Sequence, residues 1–116
     1  MKNIREFIVK TKAKEWQPLV ENGVHYKGLY VMSLRFNEMQ NRSDRIMLKF
    51  EPGASYPYHN HPAGEEIFVL SGSCEIANTI LEAEDYLYTP PNYKHSVKSE
   101  DGCTLLLCIP EEVELM

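Results

Sequence analysis

The 116-residue chain lacks the features that would assign it to a membrane, a nucleic acid or a disulfide scaffold. No apolar run approaches the ~20 residues of a membrane span. Met1-Lys2-Asn3-Ile4-Arg5-Glu6 lacks the apolar stretch and small-residue cleavage site of a secretory signal. A cytoplasmic protein with no membrane partner is therefore expected. Positive charge is also scarce: 12 Lys and Arg against 17 Asp and Glu leave a formal charge of -5. The one basic cluster, Lys10-Thr11-Lys12-Ala13-Lys14, is too small to neutralise a phosphate backbone, so no nucleic-acid partner is expected. The three cysteines, Cys74, Cys103 and Cys108, include no C-x-x-C pair. An odd number without a signal favours reduced thiols acting as small apolar fillers. A thiol facing a metal cavity would alter that chemistry.

Linkers, repeats, low-complexity tracts and long helical periods are missing too. One domain over residues 1–116 is expected, with an N-terminal edge strand or arm in 1–20 and a barrel core of about 21–110. What the chain does contain is seven tyrosines and many short apolar runs. Val24–Met32, with a bulge or bend at Gly28, Arg45–Phe50, Glu66–Leu70, Thr79–Leu81, Tyr86–Thr89, His95–Lys98 and Thr104–Ile109 are each bounded by turn residues. Cys74–Ala77 reads as the hairpin partner of Glu66–Leu70, reached through Ser71-Gly72-Ser73. Strands recurring every 8 to 12 residues predict an all-β fold, a small antiparallel barrel or jelly roll. Such a barrel can hold one ligand or metal among inward-facing positions of different strands.

Three of the four histidines and two carboxylates are concentrated in a few positions. In Tyr58-His59-Asn60-His61-Pro62-Ala63-Gly64-Glu65-Glu66, His59 and His61 share one face if they lie on a strand, whereas on a helix they diverge by roughly 200°. Pro62-Ala63-Gly64 reverses the chain and sets Glu65 at the start of the next strand. His95 arrives from a later hairpin. Three imidazoles and a carboxylate suit one divalent transition metal, Fe, Zn, Mn, Ni or Cu. With octahedral geometry two positions stay open for water or substrate, whereas tetrahedral zinc would be closed by the four groups and serve structure alone. His25, by contrast, reads as an ordinary structural histidine. Tyr56, Tyr58, Tyr86, Tyr88 and Tyr93 are candidates for a hydrogen-bond donor behind the ligands or a substrate contact, but most read as wall packing, with Tyr86 and Tyr88 on one face. Met32, Met47, Phe50 and Phe68 are the expected apolar cavity lining, and Glu111-Glu112-Val113-Glu114 a solvated end.

The run Gly53-x5-His59-x-His61-x3-Glu65-x6-Gly72 resembles the first cupin motif at every fixed position. The second motif is matched with departures. Where cupins carry glycines, this chain has Glu84 and Asn92, and Ser99 stands in place of an asparagine, while Pro90 and His95 are kept. Asn92 tolerates the left-handed conformation that a turn glycine adopts. Trp16-x-Pro18, Phe50-Glu51-Pro52-Gly53-Ala54-Ser55, Gly64 through Gly72, Pro90-Pro91 and Glu100-Asp101-Gly102-Cys103 extend the likeness to ChrR-type (RmlC-like) cupins. This resemblance implies His59, His61, Glu65 and His95 as metal ligands, with Glu66 the rival carboxylate. It also implies a homodimer paired through the N-terminal strand, and one of three roles. The first is a metal-dependent dioxygenase acting on a small organic substrate. The second is a sensor or ligand-binding module akin to the cupin domain of anti-sigma factors. The third is a structural zinc domain. No C-x-x-C precedes the histidines, so the chain is not expected to be such an anti-sigma factor by itself.

Overall fold

In the computed structural model, which describes residues 2–116, the chain forms ten strands after two short helical turns at Ile4–Phe7 and Thr11–Ala13. The strands are β1 Gln17–Glu21, β2 Val24–Asn37, β3 Arg42–Phe50, β4 Ser55–His61, β5 Glu65–Ile76, β6 Thr79–Glu82, β7 Tyr86–Thr89, β8 Tyr93–Lys98, β9 Cys103–Cys108 and β10 Glu114–Leu115. All pairings are antiparallel, in the order β1-β2-β3-β9-β5-β8-β4-β10, with β6 and β7 added to β5. This is the expected all-β, curled antiparallel fold.

The curl originates in β5. Its first half, Glu65–Gly72, pairs with β9 and β7, and its second half, from Ser73, pairs with β6 and β8. One strand thus crosses from one layer to the other. Ser71-Gly72-Ser73 is therefore not the hairpin turn expected from its composition but the bend inside a twelve-residue strand. Glycine is required there: Gly72 has φ +74°, and a Cβ would lie 2.1 Å from the Gly102 carbonyl oxygen. Strand β9 passes too close for any side chain.

Inward positions alternate with outward ones. On β9, Cys103, Leu105 and Leu107 are buried while Thr104, Leu106 and Cys108 are only partly covered. Ile67 and Val69 of β5 face the same interior, where Leu48, Phe50 and Val97 complete the core. Burying each such side chain contributes roughly 1.5–3 kcal/mol, so the layers close on this apolar stripe.

The strand boundaries differ from the sequence reading where polar residues hide a ladder. Strand β2 continues past Met32 to Asn37, and β3 begins at Arg42, so Phe36 pairs with Ser43. The expected irregularity at Gly28 is present, because the β1 partners jump from Tyr30 to His25 across it. The edge strand of the first 20 residues forms only at Gln17, whereas Ile4–Phe7 takes a helical turn capped by the Asn3 side chain, with no residue buried. Without a buried face, local capping decides the conformation. Among the described residues, no helix is long and apolar enough to cross a membrane.

Candidate metal centre

Strand β4 supplies His59 and His61 on the inward face, as the i, i+2 spacing requires, and β8 supplies His95 directly opposite His59. The three rings lie 4.3–5.1 Å apart between centroids, and one donor nitrogen from each falls within 4.8 Å of the others. Glu65, first residue of β5, brings Oε1 to 3.2 Å from His61 Nε2 and 3.6 Å from His95 Nε2. All four side chains are buried. Glu66 points the other way, exposed, and accepts the Tyr86 hydroxyl at 2.7 Å. Strand parity thus separates the rival carboxylates. His25 is exposed on β2 and takes no part in the cluster.

Backbone carbonyls aim the rings. His59 Nδ1–H donates to the Pro57 carbonyl at 2.7 Å, and His61 Nδ1–H donates to that of Tyr93 at 2.8 Å. Because a carbonyl only accepts, each bond leaves Nε2 as a lone-pair donor directed inward. A bulge in β4 between Tyr56 and His59 accompanies this bond to the Pro57 carbonyl.

The cluster has more buried donors than internal partners. His61 Nε2, Glu65 Oε1 and His95 Nδ1 have no hydrogen bond. Leaving a buried polar group unpaired costs roughly 1–3 kcal/mol. A divalent cation among His61 Nε2, Glu65 Oε1 and the neighbouring imidazoles would satisfy such groups together, so the residues fit a metal.

Burial and the neighbouring groups shift the charge of each member. Burial disfavours the imidazolium of His59 and lowers its pKa to about 4, which keeps the ring neutral. Burial also works against a charged His61, but the adjacent Glu65 carboxylate outweighs it and raises the pKa above the usual value. For Glu65, burial acts upward, yet His61 and His95 win and hold the carboxyl below its ordinary range.

Of the neighbours, Thr89 carries no sequence signal, whereas Tyr56 is among the tyrosines singled out from the sequence. The buried Thr89 places Oγ1 3.3 Å from His95 Nε2. Tyr56 stands edge-on to His59 at 4.7 Å and donates its hydroxyl to Glu21 Oε1 at 2.6 Å. The glutamates of the C-terminal segment, Glu111, Glu112 and Glu114, are exposed as their charge leads one to expect, but the segment is docked on the sheet. Strand β10 pairs with β4 at His59 and Asn60, and Glu114 Oε1 accepts the Asn60 amide at 2.7 Å. Only a register partner that is itself buried could give that glutamate a role, and a lone acidic run does not reveal one.

Cavities adjoin the cluster on several sides, one of about 230 Å³ lying against His95, Lys94 and Lys98. An interior one of about 70 Å³ touches His59 and Glu65 and is lined by Leu19, Leu48, Leu107 and Val113 among others. A lateral one of about 480 Å³ touches His95 and Thr89. The four expected lining residues line neither. Phe68 and Met47 sit at outward parity, Met32 pairs with Met47 outside the core cluster, and Phe50 is consumed by core packing. No cysteine lines either cavity. Cys74 and Cys103 are buried free thiols, and Cys108 is partly covered.

Comparison with solved structures shows the same fold at low identity. An RmlC-like cupin protein from Ralstonia eutropha JMP134 aligns with a TM-score of 0.72 at 15% identity, over 85% of this chain and 64% of that one, so this chain spans less than two thirds of that protein's length. An acetylacetone dioxygenase from Acinetobacter johnsonii aligns with a TM-score of 0.76 at 14% identity, over 94% of this chain and 74% of that one. The anti-sigma ChrR of Rhodobacter sphaeroides, in its complex with SigE, aligns at 0.66 and 19% identity, over 86% of this chain and 50% of that one. No curated protein matches the sequence. The model of the ChrR cupin-like domain matches residues 4–110, and the chain belongs to that cupin family.

Proposed function

We propose that His59, His61, His95 and Glu65 hold one divalent transition metal and that the chain is a metal-dependent dioxygenase acting on a small organic substrate. The observation that carries this reading is the buried convergence of three imidazoles on Glu65, whose Oε1 lies 3.2 Å from His61 Nε2 and 3.6 Å from His95 Nε2 without other partners, beside cavities that adjoin the cluster. When bound, such a metal supplies Lewis-acid and redox chemistry toward dioxygen and a chelating substrate. The chain's own part is to keep His59 neutral, to fix two rings through the Pro57 and Tyr93 carbonyls, and to hold Glu65 ionised in a site shielded from water. The cavities favour a site that exchanges ligands over a closed structural zinc site. The likeness in fold to an acetylacetone dioxygenase agrees with this choice and does not carry it.

A second reading, a non-catalytic sensor or ligand-binding module, is favoured by the match to the ChrR cupin-like domain. The two readings separate in one experiment. Protein prepared without chelator is analysed for metal, loaded with Fe(II), and supplied with a panel of diketones, thiols and phenols while oxygen is monitored. Stoichiometric metal with oxygen consumption on at least one compound supports the dioxygenase. Metal with ligand-dependent spectral change and no consumption selects the sensor. No metal uptake overturns both.

A further inference from the structure

The two layers of the fold are not laddered together at their far edges. Strand β1 ends one side of the sheet order and the β4–β10 pair ends the other, and among the described residues no backbone pairing links them. The interior cavity lies behind this seam. Leu48, Val97, Leu105 and Leu107 form its buried wall, whereas Leu19 and Glu21 of β1 and Val113 are only half-buried and stand at its solvent side. His59 lies on the edge strand β4 and touches the same cavity.

The seam is bridged twice. Tyr56 of β4 reaches Glu21 of β1 through its hydroxyl, and the chain itself crosses after β9 from the β3–β9–β5 layer to β4. The near end of this crossing is firmly moored: Ile109 N–H donates to the Asp44 carbonyl at 2.8 Å, and the Ile109 carbonyl accepts Arg42 Nη1 at 2.7 Å. Pro110, Glu111 and Glu112 then pass exposed over the gap, and Val113 turns inward against the core. The far end is held lightly. It has two register pairs, Glu114 with Asn60 and Leu115 with His59, and one side-chain clasp, in which Asn60 Nδ2–H donates to Glu114 Oε1 at 2.7 Å. An exposed segment with so few bonds opens locally far more often than the whole fold unfolds.

We propose that residues 110–115 are a strap hinged at Ile109 and clasped at Glu114, and that unclasping it is the step that opens the interior cavity and His59 to solvent. Release swings Val113 off the cavity and strips Leu115 from the backbone of His59 in one motion. The strap therefore sets how fast a reagent or a metal ion reaches or leaves the cluster from this side. The strap itself stands on the fold alone, and only its bearing on a metal rests on the metal-centre reading.

The probe is diethyl pyrocarbonate on metal-free protein, with acylation of each histidine followed by peptide mass spectrometry. In the native chain the exposed His25 is expected to react fast and the buried His59 slowly. Glu114→Ala, which removes only the clasp, should speed His59 about tenfold, the loss of one charge-assisted hydrogen bond. A chain ending at Ile109 should speed it further. Glu114→Gln still accepts the Asn60 amide and should return the rate to near native, and Glu112→Ala, exposed and outside the clasp, should change nothing. His95 adjoins the lateral cavity instead and should keep its rate throughout, whereas general loosening would raise both histidines. In Co²⁺-loaded protein, release to a chelator should quicken in the same variants. Native His59 as reactive as His25, no acceleration in Glu114→Ala and the shortened chain, or equal acceleration of His95 each overturns the strap. Unchanged Co²⁺ release beside faster acylation overturns its role at the metal. Failure to take up Co²⁺ overturns the metal reading, and the metal-free acylation then still judges the strap.

Discussion

At the residue scale, His61 and Glu65 carry the sharpest expectations because their donor atoms have no other partner in the fold. His61→Ala should abolish metal uptake, measured by elemental analysis of purified protein, whereas His25→Ala, altering an exposed ring on β2, should retain it. Glu65→Gln should lower metal content, while Glu66→Gln should cost only the exposed bond to Tyr86. Equal retention across the four variants would contradict the assignment.

His59 supports a pH prediction for the metal-free protein. Its pKa falls from 6.5 to about 4 on folding, so between those values the unfolded chain binds the extra proton. Stability is therefore lost as pH falls from 6.5 toward 4, by at most about 3 kcal/mol for the site. His61 acts in the opposite sense. With its pKa raised, it contributes stability below 6.5 that is lost as pH rises through its folded value. Urea unfolding of chelator-treated protein across this window should show a shallower acid decline in His59→Asn than in the native chain. Identical slopes would mean that burial does not hold His59 neutral. The histidines themselves were legible from i, i+2 spacing. Their orientation was not, because the groups that aim them are the backbone carbonyls of Pro57 and Tyr93, which no side-chain pattern encodes.

At the element scale, β5 is the strand on which the fold turns. Gly72→Ala would place a methyl carbon 2.1 Å from the Gly102 oxygen and 2.8 Å from Cys103 Cα, both backbone atoms that cannot step aside. Loss of several kcal/mol, or failure to fold, is expected in chemical denaturation. A near-native midpoint would show that β9 can move away. The opposite substitution is available nearby. Glu84 and Asn92 occupy the two positions where cupins carry glycine, and both adopt positive φ, +76° and +64°. Asparagine tolerates this, and glutamate pays for it. Glu84→Gly should stabilise by about 1 kcal/mol, the relieved strain exceeding the extra chain entropy, as read from the urea midpoint. Ser71-Gly72-Ser73 looked like a hairpin turn because small polar residues at a turn and at a strand bend are compositionally the same.

At the scale of the whole molecule, an apolar surface remains after the core is formed. Phe68, Leu70, Tyr86 and Tyr88 are 37–57% exposed, and Phe68 and Tyr86 are register partners on adjacent strands. We propose that a second copy of the chain covers part of this surface. Light scattering on the native chain should report a dimer, and Phe68→Asp should shift it toward monomer without altering the circular dichroism spectrum. A native chain that is monomeric at high concentration would exclude the homodimer.

The sequence by itself determined the all-β class, the face shared by His59 and His61, and the donor chemistry, because strand periodicity and ligand type are local properties. Only the tertiary structure set Glu65 rather than Glu66 beside the histidines, placed Thr89 against His95, drew Glu114 back onto β4 and opened the slot between β6 and β7. Those outcomes depend on strand register and on the bend at Gly72, which are set by long-range closure of one sheet on itself and leave no mark on neighbouring residues.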